Sequence, residues 1–263
     1  WNRNTYSITV DPNGGTWSTS TGPQEISLAY EEVKEIEIPT RVGYTFTSWQ
    51  VEGAGSSADT NHITMGYEDA KITAIWKVNT YQVEIDPSGG SWNQTTNKTT
   101  LSLDYLTSQE VMNPVREGHT FIGWSLEGRG SSIVSNTFMM GYENAKLVAR
   151  WEANTYPWIS YHYKQNIGGS GYTLVGADTG SGEAIFGSVV TPPVLTYTGF
   201  TSPSRKSMTI QVDSNPPVKN KIEYQYTRNK YTLTVNPNGG SYSGTTSSTS
   251  HSLYYEETKG ITN

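Results

Sequence analysis

The chain has 263 residues, 34% of them hydrophobic and none of them cysteine, with a formal net charge of −6. The acidic balance speaks against nucleic acid as a partner, since phosphate recognition needs a basic footprint, and no apolar run reaches the roughly 18 residues of a membrane span, so no membrane is expected within this fragment. Without cysteine no disulfide can staple the fold, which must hold by packing, neighbour contacts or another crosslink.

A long period organises the chain. Trp1, Trp76 and Trp151 stand 75 residues apart, each followed three residues later by Asn-Thr-Tyr, beginning at Asn4, Asn79 and Asn154. A further step reaches Tyr226, where Asn229-Lys230-Tyr231 keeps the register. A fixed period of this size means tandem modules. The boundaries predicted are 1–75, 76–151, 152–227, and the first half of a further module over 228–263. Linkers of three or four residues leave little freedom, so the modules are expected to chain as an elongated rod. A module of 75 residues is near the lower limit for a self-sufficient core. The eight Trp and eighteen Tyr supply the buried area that few aliphatics can.

Residues 1–75 and 76–150 align without a gap, with 33 of 75 positions identical, so they are two copies of one fold. Each opens with an alternating stretch, Tyr6–Val10 and Tyr81–Ile85, whose period of two and β-branched residues predict a half-buried strand. Asp11-Pro12-Asn13-Gly14-Gly15 and Asp86-Pro87-Ser88-Gly89-Gly90 are turns, with proline presetting one φ and glycine supplying the positive φ that follows. Trp17 or Trp92 starts the return, and a second strand follows at Ile26–Tyr30 and Leu101–Tyr105. A short segment then ends at Pro39 or Pro114. The third strand is Gly43–Trp49 and Gly118–Trp124. Its Phe46 and Trp49 are three apart and would face opposite sides, so a bulge, in the second copy helped by Gly123, is needed to turn both inward. Gly53–Ser57 and Gly128–Ser132 read as flexible loops. Met65–Ala70 and Met140–Ala145 read as a one-turn helix or tight turn carrying Met and Tyr into the core. Lys71–Trp76 and Lys146–Trp151 close the modules.

These residues resemble the Listeria–Bacteroides repeat, the internalin-type B repeat of bacterial surface proteins. The features that carry the resemblance are Asp-Pro-Asn-Gly-Gly, Gly-Tyr-Thr-Phe-x-x-Trp, Met-Gly-x-x-x-Ala and the terminal Trp, over residues 1–151. The resemblance implies small β-grasp-like modules used in series on Gram-positive cell surfaces, and an extracellular, cell-wall associated location. The Gly-Ser insert after the Trp is longer than the usual pattern.

The third stretch keeps the length and changes the text. Tyr156–Lys164 alternates, Gly168–Gly171 is a turn, and short strand-like pieces follow at Tyr172–Val175, Gly187–Thr191, Thr209–Val212 and Lys221–Tyr226. Tyr161-His162-Tyr163, Gly171–Leu174, Tyr197-Thr-Gly-Phe200 and Tyr224–Asn229 resemble a mucin-binding-protein-type repeat, a family whose name does not by itself carry a ligand across. From Tyr226 the first repeat type restarts, with Asn236-Pro-Asn-Gly-Gly240 as its turn, and it stops at the position equivalent to Ile38. A lone hairpin is marginal in water, so the chain is expected to be a piece of a longer array.

The sequence offers no catalytic, cofactor-binding or metal-binding residue. His62, His119, His162 and His251 lack metal-ligand spacing and read as surface or half-buried side chains. Asp11, Asp86 and Asn236 cap their own turns, one acid per loop being too few for calcium. Gly-x-Gly at Gly53 and Gly128 lacks the strand-to-helix setting of a phosphate loop. One covalent possibility is an amide crosslink between Lys and Asn, with Lys164, Lys219, Asn220 and Glu223 in strand-like stretches. Trp49, Trp76, Phe46 and Tyr67 recur in both copies and are assigned to the cores. Trp158, Tyr161 and Tyr163, without counterparts, are the candidate ligand-contact aromatics.

The fold expected is therefore mainly β, α+β at most. Repetition, tight linkers and the lack of a convergent polar site point to a non-enzymatic stalk or spacer whose partners are its neighbouring modules. Aromatic content keeps open the alternative, an adhesin that recognises a glycan or a host surface protein.

Overall fold

The computed structural model describes residues 2–261, so Trp1, the first residue of the 75-residue series, lies outside them. The chain divides into two compact units, Trp1–Arg116 with Phe121–Trp151, and Glu117–Thr120 with Glu152–Asn263.

The first unit holds the two gapless copies apart from Glu117–Thr120. In the first copy the strands are β1 (Thr5–Asp11), β2 (Gln24–Ala29), β3 (Val33–Glu35), β4 (Tyr44–Glu52), β5 (Ser57–Ala58), β6 (His62–Thr64) and β7 (Ala70–Val78). In the second they are β8 (Thr80–Asp86), β9 (Thr99–Asp104), β10 (Ser108–Glu110), β11 (His119–Glu127), β12 (Ser132–Val134), β13 (Thr137–Met139) and β14 (Ala145–Ala153). The main sheets have the orders β2-β1-β7-β4 and β9-β8-β14-β11. The opening and closing strands lie parallel at the centre, with Val10 opposite Ile72 and Ile85 opposite Leu147. This mixed order is that of a β-grasp sheet. Where a helix would cover it, a three-stranded sheet does so, β3-β6-β5 or β10-β13-β12.

Alternation places the cores between these layers. Ile8, Val10, Ile72 and Ala74 of the main sheet meet Ile63 of the small one and Met65 just beyond its end, with Trp17 and Trp49 in the same cluster. Val83, Ile85 and Leu147 meet Phe138 and Met140 in the second copy, with Trp92 alongside. The bulge is present in the first copy, where the register of β4 against β7 shifts between Phe46 and Ser48. The extra residue is Thr47, and Phe46 and Trp49 then share a face with ring centroids 5.0 Å apart. Phe121 and Trp124 lie 5.4 Å apart in the second copy. Because Ser48 stands where Gly123 does, the device does not need glycine.

At the Met-Gly-Tyr segment the structure has a tight bend and not a one-turn helix, the other alternative, and the expectation that both Met and Tyr enter the core fails for Tyr. The Met is buried, but Tyr67 is 60% and Tyr142 41% exposed. Each ring lies outside the core against the backbone of a loop glycine, Gly55 or Gly130. That loop is also tied down more than its Gly-Ser composition suggests. The Ala54 N–H donates to Glu68 and the Gly66 N–H to Ser56, and the Arg129 and Gly141 N–H groups repeat both bonds to Glu143 and Ser131.

The second unit repeats the plan in other residues. Its strands are β15 (Thr155–Gln165), β16 (Tyr172–Leu174), β17 (Gly180–Ile185), β18 (Val189–Val190), β19 (Phe200–Thr201), β20 (Met208–Thr209) and β21 (Lys221–Arg228), with a 3-10 turn at Gly176–Asp178. β15 lies parallel to β21, β19 is antiparallel to β21, and β16 and β17 share the far edge of β15. Sequence reading missed β17, whose Gly-Ser-Gly start has little strand propensity and is recruited by pairing. Ile222, Tyr224 and Tyr226 form the core with Tyr197 and Phe200. β22 (Lys230–Val235) and β23 (Thr249–Tyr254) then make a two-stranded hairpin in the register of β1 and β2.

Candidate functional site

The feature that recurs most faithfully is a joint built from four residues. An Asn stands just before an opening strand, at Asn79, Asn154 and Asn229. A Gly-x-Thr stands at the start of the preceding third strand, at Gly43/Thr45, Gly118/Thr120 and Gly199/Thr201. An aromatic residue follows the second strand of the next hairpin, at Tyr105, Phe186 and Tyr255. The Asn N–H donates to the Gly carbonyl at 2.9 Å in all three. The Asn carbonyl accepts from the aromatic residue's N–H at 2.8–2.9 Å. The Thr hydroxyl donates to the Asn side-chain oxygen at 2.6 Å each time.

The glycine is required twice over. At φ +76, +68 and +78 an L side chain is strained. A Cβ there would also fall only 2.1–2.3 Å from the nearest atom of the Tyr105, Phe186 or Tyr255 ring. The ring therefore lies flat on bare backbone. The first joint falls wholly within the first unit and the other two within the second. The Asn-Thr-Tyr period announced the first two asparagines of the joints, Asn79 and Asn154, and Asn229 keeps its register, whereas Gly-x-Thr also occurs outside the joints, for example at Gly171-Tyr-Thr173, and does not single them out. The partnership between them, 34 residues apart in the first two joints and 28 in the third, becomes visible once the strands pair.

The predicted ligand-contact aromatics separate onto two faces of β15. Trp158 shares a face with Ser160 and buried His162, and its indole lies against Gly182. Tyr161 and Tyr163 are on the opposite face, ring centroids 6.3 Å apart. The cross-strand partner of Tyr163 is Leu174, and Tyr161 lies opposite Glu223, which holds Lys221 at 3.0 Å. That contact, with a smaller contribution from the two tyrosines, raises the Lys221 pKa.

His162 is neither a surface nor a half-buried histidine. It is 2% exposed, lies between Tyr224 and Tyr226, and its Nδ1 is 2.9 Å from the Tyr226 hydroxyl. Burial lowers its pKa, and the Asp178 carboxylate pulls weakly the other way. That carboxylate accepts from the Tyr197 hydroxyl at 2.6 Å. Burial first, and this bond second, push the Tyr197 pKa well up.

The crosslink candidates are each committed elsewhere. Lys164 Nζ sits 3.9 Å from the centre of the Tyr197 ring. Lys219 donates to the Val212 carbonyl, and Glu223 pairs with Lys221. Asn220 is buried, donating to the Pro157 and Gln211 carbonyls and accepting from the Gln211 N–H. Beside it, Asp213 braces a turn. Desolvation would raise its pKa, but hydrogen bonds from the Asn220, Val218, Ser214 and Lys219 N–H groups prevail and bring it to about 2.

Asp11, Asp86 and Asn236 each accept from the N–H two residues on, at 2.8, 2.8 and 3.0 Å, so all three cap their turns. Among the described residues no group of three or more His, Asp or Glu side chains is placed to hold a metal ion. Among them, too, no helix is long and apolar enough to cross a membrane.

Comparison with known proteins gives this geometry a setting. The sequence model of the Listeria-Bacteroides repeat domain matches residues 6–75 and 81–150. The chain is similar to a protein of Evansella cellulosilytica bearing the name Gly-rich membrane protein, with 30% identity over 77% of this chain and 24% of that one. It is also similar to internalin H of Listeria monocytogenes, with 29% identity over 58% of this chain and 26% of that one. The chain thus spans about a quarter of the length of the curated relatives it matches. Among solved structures it is similar to streptococcal high identity repeats in tandem, domains 3-4 of a cell surface protein, with 16% identity and a TM-score of 0.22 over 57% of this chain and 98% of that one.

Proposed function

The chain belongs to the Listeria-Bacteroides repeat domain family, whose model matches just over half of it, and on that premise we propose that it is a non-enzymatic spacer in an extracellular, cell-surface protein. The modules proposed are 1–75, 76–151, 152–227 and the start of another over 228–263, the third of them of the mucin-binding-protein type. The observation that carries the reading is the joint. Three times, in different surrounding sequence, the chain spends an asparagine, a threonine, a glycine and an aromatic ring on fixing one hairpin to the strand before it. Fixing a neighbour is what a spacer requires. A solitary ligand site would have no reason to repeat it. The relatives' names, among them internalin H, support the surface location.

The test is to place the chain between a wall anchor and an epitope tag on a bacterial surface, then to remove residues 76–150 in frame. The reading expects tag accessibility to a bulky antibody to fall with the shorter insert. Unchanged accessibility at equal display would contradict it.

A second reading, adhesion to a glycan or host surface protein, is favoured by the adjacent Tyr161 and Tyr163 beside the Lys221–Glu223 pair. Glycan-array binding abolished by Tyr161→Ala with Tyr163→Ala would support it. Binding that persists in that double variant would remove this face from consideration.

A further inference from the structure

The first joint has a groove of about 720 Å³ beside it, within the first unit. Its walls are Tyr44, Phe46, Trp76 and Tyr105. Phe46 meets Trp76 edge-on at 5.9 Å, and Tyr44 meets Tyr105 edge-on at 5.8 Å, so the rings pack against one another and hold the walls in place. The one charged lining residue is Arg41. Its guanidinium lies 4.1 Å from the centre of the Tyr44 ring, and one N–H donates to the Asn13 carbonyl at 3.0 Å. The stacking and this bond fix the plane of the fork. Among the described residues no carboxylate pairs with Arg41, and none lines the groove, although acids outnumber bases 24 to 18 along the chain.

We propose that this groove binds a carboxylate-bearing sugar, as part of an acidic oligosaccharide. A guanidinium held flat is matched to a carboxylate, which it can grip through two parallel N–H bonds. The aromatic walls suit the C–H faces of a pyranose, and the Thr16 and Thr40 hydroxyls at the rim suit its hydroxyl groups. The single charged contact and the open groove make the interaction weak, and the overall negative charge of the chain makes it weaker at low salt. The proposal goes beyond the spacer reading and does not depend on it.

The test is to titrate the isotope-labelled full chain with sialyllactose, a hyaluronan tetrasaccharide, neutral lactose and an acidic hexapeptide, following the backbone amides and the Trp76 indole N–H. The two acidic sugars are expected to shift Arg41, Tyr44 and Trp76, and lactose is not. Arg41→Gln is expected to weaken binding at least about tenfold, the loss of one charge-assisted contact. Val42→Glu, which adds a carboxylate at the rim, is expected to do the same. Val42 is 63% exposed and its equivalent in the second copy is Glu117, so this variant keeps the fold. Absence of shifts, equal shifts from lactose, binding undiminished in both variants, or the peptide occupying the groove in place of the sugars would each overturn the assignment.

Discussion

Gly43→Ala puts the joint to a quantitative test. The substitution adds one methyl group at φ +76, where an L residue costs about 1–2 kcal/mol. The methyl would also lie 2.1 Å from Tyr105 Cδ1, far inside contact distance, so the ring must leave. Losing its seat and its edge-on contact with Tyr44 adds about 1–2 kcal/mol. The expected total is about 2–4 kcal/mol, concentrated at the joint. Gly22→Ala is the control, since Gly22 has φ +88 and open space around it, and only the backbone cost applies. Hydrogen exchange reads the difference locally. The Asn79 N–H is bonded to the Gly43 carbonyl and the Tyr105 N–H to the Asn79 carbonyl. Both should exchange about thirtyfold faster or more in Gly43→Ala, about 2 kcal/mol of local opening, and hardly change in Gly22→Ala. In a Tyr105→Ala background the excess cost of Gly43→Ala should disappear. Equal exchange in the two glycine variants would refute the seating of the ring.

Further outcomes follow from single residues. His162 is held neutral by burial, with its pKa below the ordinary 6.5. The unfolded chain therefore takes up the proton first as pH falls, so stability is full above about pH 6.5 and is lost below it. Thermal melts between roughly pH 7.5 and 5, the range that brackets an ordinary histidine pKa, should show that fall, and His162→Phe should flatten it. Asp213 works the other way, with its pKa lowered to about 2. Its contribution is full above the ordinary 3.8 and is lost as pH falls toward 2, and in Asp213→Asn the acid melts should lack that step. Trp49 donates its indole N–H to the Thr60 carbonyl at 3.1 Å, whereas the buried Trp124 indole N–H has no partner among the described residues. Trp49→Phe should therefore cost about 1–2 kcal/mol more in denaturant unfolding than Trp124→Phe, which removes an unsatisfied donor. Equal costs would show the hydrogen bond to be worth nothing.

What the sequence made legible follows the reach of each signal. Strands β1, β4, β7, β15 and β21 are local patterns of alternation, and they appear where the alternation puts them. The need for a bulge between Phe46 and Trp49 was also local, because strand geometry forbids both rings on one face without it. Tyr67 misled because recurrence at 75 residues reports that a ring is used, without saying on which side. It covers a loop glycine and stays 60% exposed. His162 was misjudged for a related reason. Its burial is set by Tyr224 and Tyr226, more than sixty residues away on a parallel strand, which no window on β15 contains. The joint lies between these cases, its asparagines announced by the period and its partners hidden until the third strand of one copy meets the first strand of the next.

The measurement that tests the central claim most directly is a set of residual dipolar couplings from residues 5–78 and 80–153 of the aligned full chain. If the Asn79 joint locks these two copies, both sets fit one alignment tensor with the same magnitude and rhombicity. Two tensors of clearly different magnitude would mean that the copies reorient independently, and the joint would then be a contact without mechanical consequence.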